Sequence, residues 1–186
     1  MGDVLRLTSY DQFYDEHVFL FALSSISYLF DLHGMEVIDV EPQTTHGGSM
    51  RYVIARKGAR PVSKNVERLR NEEAARGQFS IGAYQVFAKN CERSKTDLLA
   101  LLQKIRKEKN RVVGYAATSK STTVINYCGI TGDLLEFISD TTPIKQHRFS
   151  PGMHIPVLPD SRFRENYPSY ALLFGWNHKE EILAKE

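Results

Sequence analysis

The chain has 186 residues, which is enough for one ordinary domain or two small ones. Its hydrophobic share of 42% and its charged share of 25% are typical of a globular protein. The net charge is only +2, whereas a nucleic-acid-binding domain normally carries a larger basic excess.

The first third of the sequence predicts a helix followed by two strands. Residues 13–33 are mostly apolar and lack Pro and Gly, which predicts a buried amphipathic helix that ends at Gly34. Apolar and acidic residues alternate over residues 35–41, and residues 49–56 predict a second strand. Because the loop between the strands is short, we expect them to be antiparallel.

The middle of the sequence predicts a linker and two helices. Residues 57–64 contain Gly, Pro and Ser, as linkers do, and residues 65–76 predict a charged helix. A longer helix is predicted from about residue 81 to residue 109, with one stripe of side chains recurring every three or four residues: Tyr84, Phe87, Cys91, Ser94, Leu98, Leu101 and Ile105. The stripe favours packing on a core or a neighbouring domain over a free coiled coil, because it covers only ~4 heptads.

Strands and helices alternate from residue 111 onwards. The predicted order is strand 111–117, helix 122–128, strands 134–139, 155–158 and 170–174, and helix 178–185. Such alternation predicts an α/β fold with a Rossmann-like, mostly parallel sheet and flanking helices. Ligands of such sheets bind beyond the carboxyl ends of the strands, where we expect the loops after Ala117, Ser139 and Phe174.

Several classes of protein do not fit the sequence. No apolar run approaches the ~20 residues of a membrane span, and residues 1–10 lack the apolar stretch of a secretion signal. Cys91 and Cys128 lie far apart without CxxC spacing, which predicts neither a disulfide scaffold nor a metal site. We therefore expect a cytoplasmic protein with no membrane or nucleic-acid partner.

A run of proton-transfer groups stands at the start of the first predicted helix. Tyr14 and His17 are three residues apart, so on a helix they would share a face, and Glu16 could orient the imidazole. A histidine titrates near neutral pH and can take up a proton in one step and return it in another. The alternative is a set of first-turn residues with satisfied hydrogen bonds.

Two glycine- or serine-rich loops are also candidate ligand sites. The paired glycines at residues 47–48 permit a close backbone approach to a ligand, or an ordinary turn. Residues 114–123 run from a strand through small residues and Lys120 to a helix start, which is typical of an anion cradle or of a tight turn. Neither a Walker spacing nor a dinucleotide-binding spacing is present.

Polar residues follow the later strands. Asp140 suits sugar or ribose hydroxyls, and Lys145 and Arg148 suit a diphosphate, although a solvated loop explains them equally well. Trp176 and Asn177 close the last strand at the same edge, as site residues or as a core residue and a helix cap.

The order of these motifs resembles that of the nucleotide-sugar C-methyltransferases. The resemblance spans residues 10–181 and rests on Tyr-Asp-x-x-Tyr-x-Glu-His, Gly-Gly-Ser, Gly-Tyr-x-Ala-x-x-Lys, Asn-Tyr-Cys-Gly-Ile, Asp-x-x-Pro-x-Lys-Gln, Pro-Gly-x-His-Ile-Pro and Trp-Asn. Members of that family carry a zinc-binding region, a class I domain that binds S-adenosylmethionine, and a Rossmann-like C-terminal domain that helps to hold the nucleotide sugar.

The resemblance implies that the chain is the C-terminal portion of such an enzyme. Residues 1–58 would be the helix-strand-strand tail of the methyltransferase domain, followed by a linker and long helix over residues 59–110. Residues 111–186 would be an incomplete Rossmann-like substrate-binding domain. The cysteine-rich zinc region and the main S-adenosylmethionine loop are absent from this sequence.

Site residues follow from the resemblance by position. The catalytic residues would be Tyr14, Glu16 and His17, and the substrate-binding residues would be Lys120, Asn126, Tyr127, Asp140, Lys145 and Arg148. Ala116 and His147 stand where the family has glycine, and Asp15 stands where it often has histidine. These departures bear on substrate preference.

The implied reaction methylates the carbon next to the ketone of a nucleotide-linked 4-keto-6-deoxy sugar. His17 would remove the proton to give an enolate, which attacks the cofactor methyl group, while Tyr14 and Glu16 orient the base or stabilise the oxyanion. The isolated chain would be inactive.

Two other functions agree with the residues. One is a non-catalytic nucleotide-sugar-binding module, and the other is a structural or interaction domain of a degenerate methyltransferase. We also expect self-association or partial disorder of residues 1–57, because they would expose a strand edge and a helix face.

Overall fold

The structure is a computed structural model that describes all of residues 1–186. The chain forms two compact units, residues 1–9 with 18–90 and residues 10–17 with 91–186. No helix combines the length and the hydropathy that crossing a membrane requires. The domain boundaries at residues 58 and 110 stay a prediction, as does self-association of residues 1–57.

The first unit packs helices against one β hairpin. Its elements are α1 (Gly2–Leu7), α2 (Leu23–Asp31), β1 (Met35–Gln43), β2 (Ser49–Arg56) and α3 (Lys64–Ala75). β1 and β2 pair in antiparallel register, which confirms the predicted hairpin. Buried aliphatic side chains form the core of this unit: Leu23, Ile26, Val37, Val40 and Val66.

The predicted helix over residues 13–33 is wrong before Leu23. Residues 13–22 contain no helix or strand. α2 begins at Leu23 because the buried Glu73 carboxylate accepts hydrogen bonds from the Leu23 N–H at 2.8 Å and from the Ser24 N–H at 3.1 Å. The N–H groups of the first turn of a helix have no partner within the helix, so they need one from elsewhere. Glu73 lies on α3, so this cap cannot be recognised from the local sequence.

The long helix α4 (Ile81–Lys107) begins in the first unit and enters the second at Cys91. Its predicted stripe is confirmed at Cys91 and Ile105, which are buried. The stripe is wrong at Leu101, which is 53% exposed, because the neighbouring Leu102 faces the core and is 2% exposed.

The second unit contains an open five-stranded sheet. After α4 its elements are β3 (Val112–Tyr115), α5 (Ser119–Cys128), β4 (Ile138–Ser139), β5 (Arg148–Phe149), β6 (Pro156–Leu158), α6 (Asp160–Glu165), β7 (Tyr170–Leu173) and α7 (Lys179–Lys185). The strand order is β5-β6-β4-β3-β7. All neighbouring pairs are parallel except β5 with β6, which confirms the Rossmann-like, mostly parallel sheet.

Helices cover both faces of this sheet, as parallel strands require. Ile105 of α4 and Ile125 of α5 pack on one face, and Phe163 of α6 and Ile182 of α7 pack on the other. The chain leaves β3 through α5 towards β4 and later reaches β7 on the opposite side of β3. The connections therefore reverse direction at β3 and β7, which places a topological switch point at their carboxyl ends.

Helix α5 begins three residues before its predicted start. The Thr118 side chain accepts a hydrogen bond from the Ser121 N–H and caps the helix. Lys120 therefore lies in the first turn of α5 and not in a loop.

The centre of the sheet depends on the absence of a side chain at Gly114. A Cβ there would lie 2.9 Å from Cε2 of Phe174 and 3.1 Å from Cγ1 of Ile138, and neither group can move without disturbing the core. We expect Gly114→Ala to lower the free energy of unfolding by about 1–3 kcal/mol, measured by urea denaturation.

Gly132→Ala is the matched control, because no atom lies within 4 Å of the added Cβ. It should change the free energy of unfolding by less than ~0.5 kcal/mol. Equal effects of the two substitutions would show that the core tolerates a methyl group at Gly114.

Candidate functional site: a tyrosine–histidine pair and a buried lysine in the second unit

Tyr14 and His17 form a hydrogen-bonded pair. The residues between them make a turn in which the His17 N–H donates to the Tyr14 carbonyl at 2.9 Å. The Tyr14 hydroxyl lies 2.7 Å from Nε2 of His17, and the two ring centroids are 4.0 Å apart. The sequence correctly placed the two side chains together, although a turn and not a helix brings them there.

The surroundings of His17 fix the position of its ring proton. Nδ1 lies 2.9 Å from the carbonyl oxygen of Gln12, which can only accept a hydrogen bond. In the neutral ring Nδ1 therefore carries the proton, and the lone pair of Nε2 accepts the Tyr14 hydroxyl. The Gln12 carbonyl thus takes the orienting role that the sequence analysis gave to Glu16.

The environment of Tyr14 keeps its hydroxyl protonated. Burial raises the pKa of Tyr14, and the nearby carboxylates of Glu16, Asp11 and Asp15 raise it further. Glu16 is exposed and contributes here through its charge. Tyr14 is therefore a hydrogen-bond donor at neutral pH.

A buried carboxylate connects this segment to the end of β7. Asp11 is 7% exposed and accepts a hydrogen bond of 2.7 Å from the indole Nε1–H of Trp176. The Thr123 hydroxyl of α5 donates to the Phe13 carbonyl at 2.8 Å. The Tyr10 ring packs on the core of this unit, and burial raises its pKa to about 12.

Lys120 lies beside the same tryptophan. Its Nζ donates to Oδ1 of Asn177 at 3.2 Å and is 5.2 Å from the centroid of the Trp176 ring. The residue is 7% exposed, and burial lowers the pKa of its ammonium group, which the charge of Asp11 opposes. A cation held in this way can bind an anionic group such as a phosphate.

Asp140 and Lys145 form a second cluster beyond the ends of β3 and β4. The Asp140 carboxylate accepts hydrogen bonds from the Ala117 N–H at 2.7 Å and the Thr142 N–H at 2.8 Å. Nζ of Lys145 donates to the Ala117 carbonyl at 2.7 Å and lies 3.8 Å from Oδ2 of Asp140. The cluster therefore holds the loop after β3 and presents a nearly buried carboxylate.

The other three predicted substrate-binding residues lie in different surroundings. The Asn126 amide donates to the Pro151 carbonyl at 3.0 Å and braces a loop. The Tyr127 hydroxyl donates to Glu92 at 2.6 Å. Arg148 is exposed on the edge strand β5. Contact of these three residues with a substrate stays a prediction.

Two residues that stand where the family has glycine adopt a backbone conformation that favours glycine. Ala116 has a φ of 73° and His147 has a φ of 59°, the left-handed region in which glycine is favoured. In the paired-glycine loop, by contrast, the side chain of Asp3 fills the space next to Gly48, where a Cβ would lie 2.6 Å from Oδ2. The Asp3 side chain therefore occupies the space that a ligand would need next to Gly48.

Sequence reasoning missed Asp11 and did not choose between a site and a core role for Trp176. The motif Tyr-Asp-x-x-Tyr-x-Glu-His contains Asp11, but nothing in the local pattern indicates that this acid is buried against a residue 165 positions away. No group of three or more His, Cys, Asp or Glu side chains is arranged to hold a metal ion.

Comparisons with known proteins identify the family to which the sequence is similar. Residues 44–186 match the family described as C-methyltransferase C-terminal domain. Over 185 aligned residues the chain is 31% identical to the C-methyltransferase NovU of Streptomyces niveus. The alignment covers 99% of this chain and 44% of NovU. The chain thus spans less than half the length of this relative.

Trp176→Phe tests whether the indole hydrogen bond holds residues 10–17 in place. The substitution leaves the buried Asp11 carboxylate without its 2.7 Å donor, so we expect a loss of about 1–3 kcal/mol in the free energy of unfolding. Relative to the wild type, we also expect the substitution to accelerate amide hydrogen exchange more over residues 10–17 than over β3.

Tyr167→Phe is the control, because it removes an exposed hydroxyl whose hydrogen bond to Glu186 is 3.5 Å long. Unchanged exchange over residues 10–17 in Trp176→Phe would contradict the role of the indole.

Proposed function

Because the chain belongs to the C-methyltransferase C-terminal domain family, we propose that it supplies the proton-transfer groups of a sugar C-methyltransferase. The proposed substrate is a nucleotide-linked 4-keto-6-deoxy sugar, methylated on the carbon next to its ketone. The observation that carries the proposal is the pair formed by Tyr14 and His17, with the lone pair of His17 on Nε2.

The chemistry of the pair suits removal of a carbon-bound proton next to a ketone. When the substrate enters, the Tyr14 hydroxyl turns from Nε2 to the ketone oxygen, and Nε2 takes the proton from carbon. The C–H electrons become those of the enolate, whose oxygen accepts the Tyr14 hydrogen bond. The Gln12 carbonyl holds the imidazolium that forms, through its hydrogen bond to Nδ1.

The methyl donor proposed for the reaction is S-adenosylmethionine, which supplies an electrophilic methyl group when bound. The residues of this chain do not fit it, because the loop after β3 contains no glycine that would let a ligand approach the backbone closely, and Ala116 stands there instead at a φ of 73°. The contribution of this chain is therefore the proton transfer and part of the substrate contacts.

A nucleotide-sugar-binding role without catalysis is the second candidate. The buried cation of Lys120, next to Asn177 and in the first turn of α5, favours it, because a cation near a helix start suits a diphosphate. In a catalytic protein the same cation would hold the diphosphate of the substrate while His17 acts on its sugar.

The test is deuterium exchange at the carbon next to the ketone, in the full-length protein with the 4-keto-6-deoxy sugar nucleotide in D2O and without methyl donor. We expect His17→Gln to slow deuterium incorporation by about 10²–10⁴-fold, because a general base contributes that much. Mass spectrometry of the recovered sugar nucleotide measures the rate.

His33→Gln is the matched control, since His33 is an exposed histidine of the first unit. Exchange at the normal rate in His17→Gln would exclude His17 as the base. If the wild-type protein binds the sugar nucleotide but exchanges no deuterium, the non-catalytic binding role is the correct one.

A further inference from the structure

A cavity of about 330 Å³ opens at the switch point of the sheet. Its lining comes from the three loops expected at the carboxyl ends of the strands, through Thr118 after β3, Asp140 after β4 and Gly175 after β7. It has no residue in common with the cluster of Tyr14, His17 and Lys120.

One buried hydroxyl in this cavity has no hydrogen-bond partner. Ser139 is 1% exposed, and its Oγ makes no hydrogen bond in the structure. Ile138 points into the core beneath α5, so the next side chain along β4 points to the opposite face, where Tyr115 and Ile182 also line the cavity. A buried hydroxyl without a partner lowers stability, and a polar ligand would supply its partner.

The adjacent carboxylate has acceptor capacity left. Asp140 accepts one backbone hydrogen bond on each oxygen, and each carboxylate oxygen can accept two. It follows the second parallel strand of the sheet, the position from which an acid binds sugar hydroxyls in doubly wound folds.

The charges of the cavity favour a neutral ligand over an anionic one. Asp140 and Glu181 are negative and only Lys185 is positive among the lining residues, and the ammonium group of Lys120 lies elsewhere, against Asn177. The volume of 330 Å³ corresponds to about eleven waters at ~30 Å³ each, close to the number of heavy atoms in one whole monosaccharide.

We propose that this cavity is a second ligand site, which binds a neutral sugar ring by hydrogen bonds from two vicinal hydroxyls to Asp140 and Ser139. The ring can belong to a ribonucleoside or to a free hexose, since both present the same vicinal diol. The proposal does not depend on methyl transfer or on His17.

The test uses the 15N-labelled chain of 186 residues and follows the amide signals of Ala117, Ser139 and Thr141. The probes are methyl riboside, its 2-deoxy analogue and methyl mannoside. We expect saturable shifts with at least one diol sugar, and at least fivefold weaker binding of the 2-deoxy analogue when the riboside is the ligand. Binding of methyl riboside alone identifies a ribonucleoside as the source, and binding of methyl mannoside alone identifies a hexose.

Ser139→Ala should weaken the binding of the sugar about fivefold and leave the free energy of unfolding unchanged or higher, because the lost hydroxyl had no partner. Ser150→Ala is the matched control: its Oγ accepts from the Ile155 N–H at 3.0 Å, so it should lower stability without changing affinity. The absence of saturable shifts with all three sugars would overturn the proposal. Equal affinities of the wild-type chain and Ser139→Ala would overturn it as well.

Discussion

The hydrogen bond from the Trp176 indole to the buried Asp11 carboxylate is the contact on which the candidate catalytic site depends. It joins a segment near the start of the sequence to the end of β7, 165 residues later. Without it the buried Asp11 carboxylate would lose this hydrogen-bond donor, and a buried charge without a partner lowers the free energy of unfolding. Together with the Thr123 hydrogen bond to the Phe13 carbonyl and the packing of Tyr10, the indole hydrogen bond holds residues 10–17 in the second unit, while the residues on both sides belong to the first.

The electrostatic arrangement divides the chemistry between two neighbouring groups. Tyr14 stays protonated because burial and three carboxylates raise its pKa, so it can donate to a developing oxyanion. His17 keeps its lone pair on Nε2 because the Gln12 carbonyl accepts the proton of Nδ1. Lys120 is cationic in a buried position despite the lowered pKa, and its place beside Trp176 suits the diphosphate of a nucleotide sugar. The groups proposed for proton transfer and for substrate binding therefore all lie in the second unit.

The sequence predicts the fold of the second unit well because its signals are local. Alternating apolar strands and capped helices give the parallel sheet, and the hydrophobic stripe gives α4 to within two residues at its end. The start of α2 could not be predicted, because the Glu73 carboxylate that caps it comes from α3. The same limit applies to Asp11: its burial is decided by the distant indole, and no pattern around residue 11 contains that information.

Among the site residues, the sequence found the pair of Tyr14 and His17 from spacing, since three residues separate neighbours in a turn as well as in a helix. It found Asp140 and Lys145 together because both follow β4. It missed the unpartnered Ser139, because a serine at a strand end has no distinguishing sequence signal. Substrate contacts of Asn126 and Tyr127 came from resemblance alone, and in the structure their polar groups bond to Pro151 and Glu92.

The central claim is that the chain holds His17 as a base with its lone pair on Nε2. The most direct measurement is 15N-edited NMR of the His17 ring in the 186-residue chain at a pH where the ring is neutral. We expect a protonated Nδ1 and an unprotonated Nε2. A proton on Nε2 would contradict it, because that nitrogen could then neither accept from Tyr14 nor take a proton from a substrate.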